Sequence, residues 1–184
     1  MGTEIEKKYR LSRERRAEVL SRLREMGGSG EGEEFEENTL YGGNGLDRRT
    51  RVLRLRRVEG RAVFTYKERF ASSSSIKRQR EDETRVEDGE ALASILDALG
   101  YKPALVYEKR RATWRIAGAE VVVDELPFGL FLEIEGEEKI IVEVERLLGL
   151  DEAEAEMASY PELTERHGEK RGDLIEARFD QARS

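Results

Sequence analysis

Cysteine is absent from the 184 residues, which excludes disulfides, thiolate metal sites and cysteine nucleophiles. Histidine occurs once, at His167 among charged residues near the C-terminus, and without a partner set it reads as solvated rather than catalytic. No apolar run approaches the roughly eighteen residues of a membrane span, and the N-terminus opens on charged strand sequence rather than a signal peptide. These absences predict a soluble, cytoplasmic protein without a membrane partner. A basic surplus is lacking too: the formal net charge of -7 argues against a protein that coats nucleic acid by bulk electrostatics. Any phosphate site must be local.

What is present in excess is charge. Charged residues make up 40% of the chain, against about 25% in an average globular protein. Length suits one domain with a real core, so the excess belongs either to an ion-pair-rich surface or to a charged interior. The strands sort their charge by sign. Thr3-Glu4-Ile5-Glu6-Lys7-Lys8-Tyr9 alternates so that Glu4, Glu6 and Lys8 share one face while Ile5, Tyr9 and Leu11 share the other. Leu53-Arg54-Leu55-Arg56 places two arginines on one face, and Phe131-Leu132-Glu133-Ile134-Glu135 repeats the acid pair. Carboxylates at i and i+2 on a strand offer oxygen ligands suited to a hard divalent cation such as Mg²⁺ or Mn²⁺. Arginines at that spacing suit a polyanion with several phosphate oxygens.

Along the chain, Ser12 caps a helix with Ala17, Leu20, Leu23 and Met26 on its stripe, closed by Gly27-Gly28. Residues 27–37, rich in Gly and Glu, read as a mobile loop leading to a short strand at Asn38–Tyr41. Residues 52–58 and 62–69 form a hairpin about Glu59-Gly60-Arg61, with Thr65, Lys67 and Arg69 on one face. The run Ser72–Ser75 reads as a flexible connection, and Ile76–Val86 as a polar strand with Glu81, Glu83 and Arg85 on one face. Asp88 caps a helix whose stripe is Leu92, Ile95, Leu96 and Leu99. Strands follow at Val106–Ile116, with Lys109, Arg111, Thr113 and Arg115 on one face and Trp114 on the other, and at Ala119–Asp124. A helix from Glu137 carries Ile140, Ile141, Val144, Leu147 and Leu148, and a short one lies near Tyr160–Leu163. Arg48, Arg57 and Arg110 fall in turns or off the charged faces.

Taken together, these elements resemble the CYTH superfamily, the triphosphate tunnel metalloenzymes. The resemblance rests on the ExExK pattern Glu4-Ile5-Glu6-Lys7-Lys8, followed in the family's order by Leu53–Arg56, Lys67 within Thr65-Tyr66-Lys67, Lys109-Arg110-Arg111, Asp124, and Glu133-Ile134-Glu135. Ser159–Leu163 resembles the family's C-terminal end. The resemblance implies an α+β fold, an eight-stranded antiparallel closed β-barrel or tunnel with helices packed outside. The resemblance covers roughly residues 2–165, so the domain is expected over residues 1–167, and the charged sequence of 168–184 reads as a disordered tail.

Residue by residue, the resemblance assigns phosphate binding to Lys8, Arg54, Arg56, Lys67, Lys109 and Arg111, with Lys8, Arg54 and Arg56 also catalytic. It assigns one or two Mg²⁺ or Mn²⁺ ions to Glu4, Glu6, Asp124, Glu133, Glu135 and the strand of Glu81 and Glu83, leaving open which of the last two faces the tunnel. The implied activity is metal-dependent hydrolysis of a small-molecule triphosphate, inorganic tripolyphosphate or an organic one such as a nucleotide or thiamine triphosphate. A class IV adenylyl cyclase, making cyclic AMP and pyrophosphate from ATP, is the alternative; a non-catalytic polyphosphate or nucleotide binding module is a third. A monomer or a homodimer is expected.

Overall fold

The computed structural model describes residues 2–70 and 76–180, with side chains from residue 5 onward. The expected Ser72–Ser75 connection lies outside the described residues. In chain order the elements are β1 (Gly2–Leu11), α1 (Arg13–Glu25), β2 (Ser29–Gly43), β3 (Arg51–Val58), β4 (Arg61–Arg69), β5 (Lys77–Val86), α2 (Gly89–Ala98), β6 (Tyr101–Ile116), β7 (Ala119–Leu126), β8 (Gly129–Glu135), α3 (Glu138–Leu147), α4 (Tyr160–His167), β9 (Glu169–Arg171) and β10 (Leu174–Ala177). Strand pairing runs β2-β3-β4-β5-β1-β8-β7-β6, and β6 pairs back onto β2, which closes an eight-stranded antiparallel barrel. Closure removes the free edges that an open sheet would leave.

The barrel is inverted relative to an ordinary two-layer protein. Lys8, Lys109 and Glu133 are buried on the inner face, while Tyr9, Val121, Val123, Leu132 and Ile134 are buried on the outer face. Their cover comes from Val19 and Leu23 of α1 and Ile141, Val144 and Leu148 of α3. Trp114 packs against this same cluster, as its position opposite Lys109 and Arg111 predicts. A second outer cluster holds Tyr41, Leu55 and Ala62 beneath Leu96 of α2. Here the helical stripe is narrower than expected: Leu96 is buried, but Ile95 and Leu99 are 54% and 59% exposed. They lie one step around the helix from the Leu92-Leu96 line that meets β3.

Two tight turns explain how the strands reverse without splaying. Glu59-Gly60 joins β3 to β4 and Ala117-Gly118 joins β6 to β7, all four residues at positive φ, the two-residue geometry whose twist matches the flanking strands.

Two expectations are overturned. Residues 29–37 are no loop: they form the first part of β2, a strand of fifteen residues paired along β6 with a register shift between Gly30 and Glu33. The Gly- and Glu-rich sequence has poor strand propensity, but the partner strand supplies the missing stabilisation. Glu31 meets Arg115 at 2.9 Å and Glu36 meets Lys109 at 3.1 Å. Likewise, residues 169–177 are not a disordered tail. They form the hairpin β9/β10, and β10 runs parallel to β6 at Leu105–Tyr107. β7 pairs with β6 only from Arg110 onward, so the earlier part of that edge is open and β10 occupies it. Arg178 then ties the hairpin to Glu37, Glu108 and Glu176.

No helix among the described residues is long and apolar enough to cross a membrane. Because Leu55 is fully buried between β3 and α2, Leu55→Ala should destabilise the fold by about 3 kcal/mol, measured by urea unfolding.

Candidate active site

The barrel encloses a cavity of 690 Å³. Its lining brings together Lys8, Arg54, Arg56, Lys67, Lys109 and Arg111, each on the face that strand alternation predicts. Glu6, Glu81, Glu83, Glu133 and Glu135 line it as well. Both acids of β5 therefore reach the cavity, Glu81 half-buried and Glu83 more exposed. The Glu4 side chain lies outside the described residues.

The bases are held by the acids. Lys8 Nζ is 3.3 Å from Glu133 Oε1 and donates to the Ala158 carbonyl at 3.2 Å. Lys67 Nζ meets Glu81 at 2.8 Å. Arg56 reaches Glu83 at 3.0 Å and Glu36 at 3.7 Å, and Arg54 donates to Thr65 Oγ1 at 3.3 Å. Arg111 makes a bidentate pair with Asp124 (2.8 and 2.6 Å) and a further bond to Glu133 at 2.8 Å. Such fork-to-carboxylate pairs fix direction as well as charge.

Asp124 stands behind the cavity lining rather than in it. It is fully buried, with both oxygens engaged by Arg111, by the Tyr160 hydroxyl at 2.7 Å and by Lys109 Nζ at 3.6 Å. In this arrangement it orients Arg111 from behind.

Four contributors are not legible from the motifs. Glu36 of β2 is 2% exposed and pairs with Lys109 and Arg56. It falls in the segment expected as a loop, and its place two residues before Asn38 on the same strand face is the available signal. Tyr160, from the first turn of α4, enters the barrel and lies 3.8 Å beneath Lys8 Nζ, ring face to ammonium. The capping box of Ser159 and Glu162 fixes that turn. Glu120 and Lys77 line the cavity from β7 and β5; alternation from Val122 and Gln79 places each.

Burial and charge together set the titration of the site. Burial alone would raise the Glu36 carboxyl, but Lys109, Arg111, Arg56 and Arg54 hold it well below its usual 4.5. Glu133 behaves alike: burial opposes its charge, while Lys8, Arg111 and Lys109 lower it. Burial works against the Arg111 charge too, yet Asp124 leads the acids that keep it firmly protonated. Burial, then Asp124, raises the Tyr160 phenol, which remains a donor. Burial and Arg111 depress Lys109.

A sequence model of the CYTH domain matches residues 2–165. The chain belongs to the CYTH family. A protein of Methanocaldococcus jannaschii, provisionally named an adenylate cyclase, is 29% identical over 150 residues, 78% of this chain and 83% of that protein. Among solved structures, a Pyrococcus horikoshii protein superposes with a TM-score of 0.76 at 29% identity, covering 87% of this chain and 98% of its own. A Hippeastrum protein, provisionally an adenylyl cyclase and reported to have a dominant triphosphatase activity, superposes with a TM-score of 0.66 at 20% identity over 85% of this chain and 91% of its own. As a CYTH member the chain shares that family's fold across nearly its whole length.

The buried Glu36 pair gives a test of the site's electrostatics. Glu36→Gln leaves Lys109 and Arg56 short of an anion and should destabilise the ligand-free protein by about 3 kcal/mol, with tripolyphosphate restoring part of the loss. A carboxyl whose folded pKa is depressed contributes stability that is complete above its unfolded value and is lost as pH falls through the folded one. Chemical unfolding at a series of pH values below 4.5 should therefore show a shallower acid slope for Glu36→Gln than for the wild type.

Proposed function

We propose that the protein is a divalent-metal-dependent hydrolase of triphosphate substrates. One observation carries the reading. In a chain of net charge -7, ten Lys and Arg residues against seven Glu line a single cavity inside a closed barrel. The Nε donors of Arg54 and Arg56 are buried there without hydrogen-bond partners among the described residues. A surplus of confined cations with unused donors is complementary to a compact polyanion, and 690 Å³ lies in the size range of small-molecule sites.

Lys8, Arg54, Arg56, Lys67, Lys109 and Arg111 bind the phosphate oxygens and spread the charge of the transferring phosphoryl group. Among these, Arg111 is held on two sides by Asp124 and Glu133. Lys8, Arg54 and Arg56 act at the reacting phosphate.

The donor chemistry fits Mg²⁺ or Mn²⁺. Glu6 stands opposite Glu135 across β1 and β8, and Glu135 opposite Glu120 across β8 and β7, all lining the cavity. Three carboxylates on adjacent strands offer several oxygen ligands to a hard cation. No preformed cluster of three metal-ligating side chains exists among the described residues, because Glu81, Glu83 and Glu133 are turned toward the bases. Glu6, Glu81, Glu133 and Glu135 would hold the ion, which supplies charge neutralisation of the phosphates and activation of water.

Two relatives bear on the product. The Hippeastrum protein, alike in fold, carries triphosphatase activity on this barrel, whereas the M. jannaschii protein is provisionally named a cyclase. Cyclisation of ATP needs room for the base, and Leu40, Val52, Phe70 and Met157 supply apolar surface along the cavity. Incubation with Mn²⁺ and tripolyphosphate, then with ATP, separates the readings by product: orthophosphate supports the hydrolase, cyclic AMP and pyrophosphate the cyclase, and no turnover a binding module.

The two charge sets should fail differently. Glu135→Gln removes a negative charge that a cation requires, so activity should fall at least tenfold and recover partly at raised metal concentration. Arg54→Ala removes a phosphate clamp, with a loss of about 10²-fold in kcat/KM that extra metal does not repair. Wild-type hydrolysis rates in both variants would refute the tunnel mechanism.

A further inference from the structure

Four lysines line the cavity: Lys8, Lys67, Lys77 and Lys109. Three of them have a carboxylate within 3.3 Å: Lys8 has Glu133, Lys67 has Glu81 and Lys109 has Glu36. Lys77 differs. Its Nζ is buried and makes no hydrogen bond among the described residues, although it stands directly across from Glu6 in the β1–β5 register. The acid it faces on β1 is itself followed across the barrel wall by Glu135 on β8, so this level of the tunnel carries acids that a divalent ion would occupy.

An ammonium taken out of water without an acceptor is destabilising. Lys8 forms a complete set of contacts on the tunnel wall: a carboxylate, a carbonyl and the Tyr160 ring. Lys77 has the same cavity in front of it and none of those contacts. Burial, and next Lys8, depress its pKa, while Glu6, Glu133 and Glu162 oppose that shift. Its surroundings are therefore the inner faces of β1 and β8 and the first turn of α4, whose Ser159, Tyr160 and Glu162 line the same cavity.

We propose that Lys77 is a further substrate-contacting residue, whose ammonium donates to a phosphate oxygen of the bound triphosphate. The proposal rests on the triphosphate reading above and extends the basic lining by one residue toward the α4 end of the tunnel. It also accounts for a buried ammonium that makes no hydrogen bond among the described residues: the acceptor arrives with the ligand.

The test compares wild type, Lys77→Met and Lys77→Arg by calorimetric titration with tripolyphosphate in Mn²⁺ buffer, by KM for its hydrolysis, and by the Tm of the ligand-free proteins. Lys77→Met should keep or raise the ligand-free Tm, because an unpaired buried charge is gone, while Kd and KM rise about tenfold or more, the size of a lost charged hydrogen bond. Lys77→Arg should stay within a few-fold of wild type. Should the Met variant fail to fold, Lys77→Gln carries the same comparison. Wild-type affinity in a folded Met or Gln variant overturns the role of Lys77 while the triphosphate reading stands. So does a lowered ligand-free Tm with unchanged Kd, which would make Lys77 a structural residue. Failure of the wild type itself to bind tripolyphosphate overturns both.

Discussion

The constraint on which the rest of the structure depends is that charge enclosed in a closed barrel must be neutralised within it. An isolated ionised group in such a place costs several kcal/mol, and the cavity holds many. In the protein alone the neutralisation is internal: Glu133 serves Lys8 and Arg111, Glu36 serves Lys109 and Arg56, and Glu81 serves Lys67. The inward faces therefore carry paired charge, and much of the hydrophobic core lies outside the barrel, under α1, α2 and α3, with a further apolar cluster around Leu40, Tyr107, Phe131 and Tyr160. The high charged fraction and the helices on the exterior are two results of one requirement.

That requirement also explains which residues are rigid. Asp124 has no access to the cavity and spends both oxygens on Arg111, Tyr160 and Lys109. Tyr160 in turn is set by the capping box at the start of α4 and packs edge-on against Phe131 at 5.4 Å. A chain of contacts thus runs from a helix cap through a buried phenol to a guanidinium that lines the cavity. Preorganisation of this kind spares the site reorganisation at the moment of reaction.

Much of this is legible in the sequence, for a physical reason. A strand's two-residue period writes inner and outer faces directly into the order of residues, so Glu6 with Lys8, Arg54 with Arg56 and Glu133 with Glu135 each declare a shared face by spacing alone. What period cannot give is stabilisation that comes from a distant partner. Glu31 to Glu37 look like a loop because their own propensities are poor; they are a strand because Lys109 and Arg115 stand opposite. The β9/β10 hairpin is hidden similarly, since its reason for existing is the part of the β6 edge that β7 leaves unpaired. For Asp124 alternation gives the face but not the depth, and its burial behind the lining comes with its partners Arg111 and Tyr160.

The internal neutralisation has a consequence for how the proposed ligands bind. Glu133 is shared between Lys8 and Arg111, and Glu81 between Lys67 and Arg54, so a cation that drew these carboxylates away would take one anion from each of four bases, leaving Arg111 with Asp124 and Arg54 with Glu83. On the proposed function, filling the metal site would thereby leave Lys8, Arg54, Lys67 and Arg111 freer to receive phosphate, and phosphate on those bases would release Glu81 and Glu133 to the metal. Each ligand would then lower the cost of the other's binding, and linkage would make the effect equal in both directions. Metal and triphosphate should therefore bind cooperatively in this barrel, with the coupling carried by two glutamates that sit between the cation and the bases.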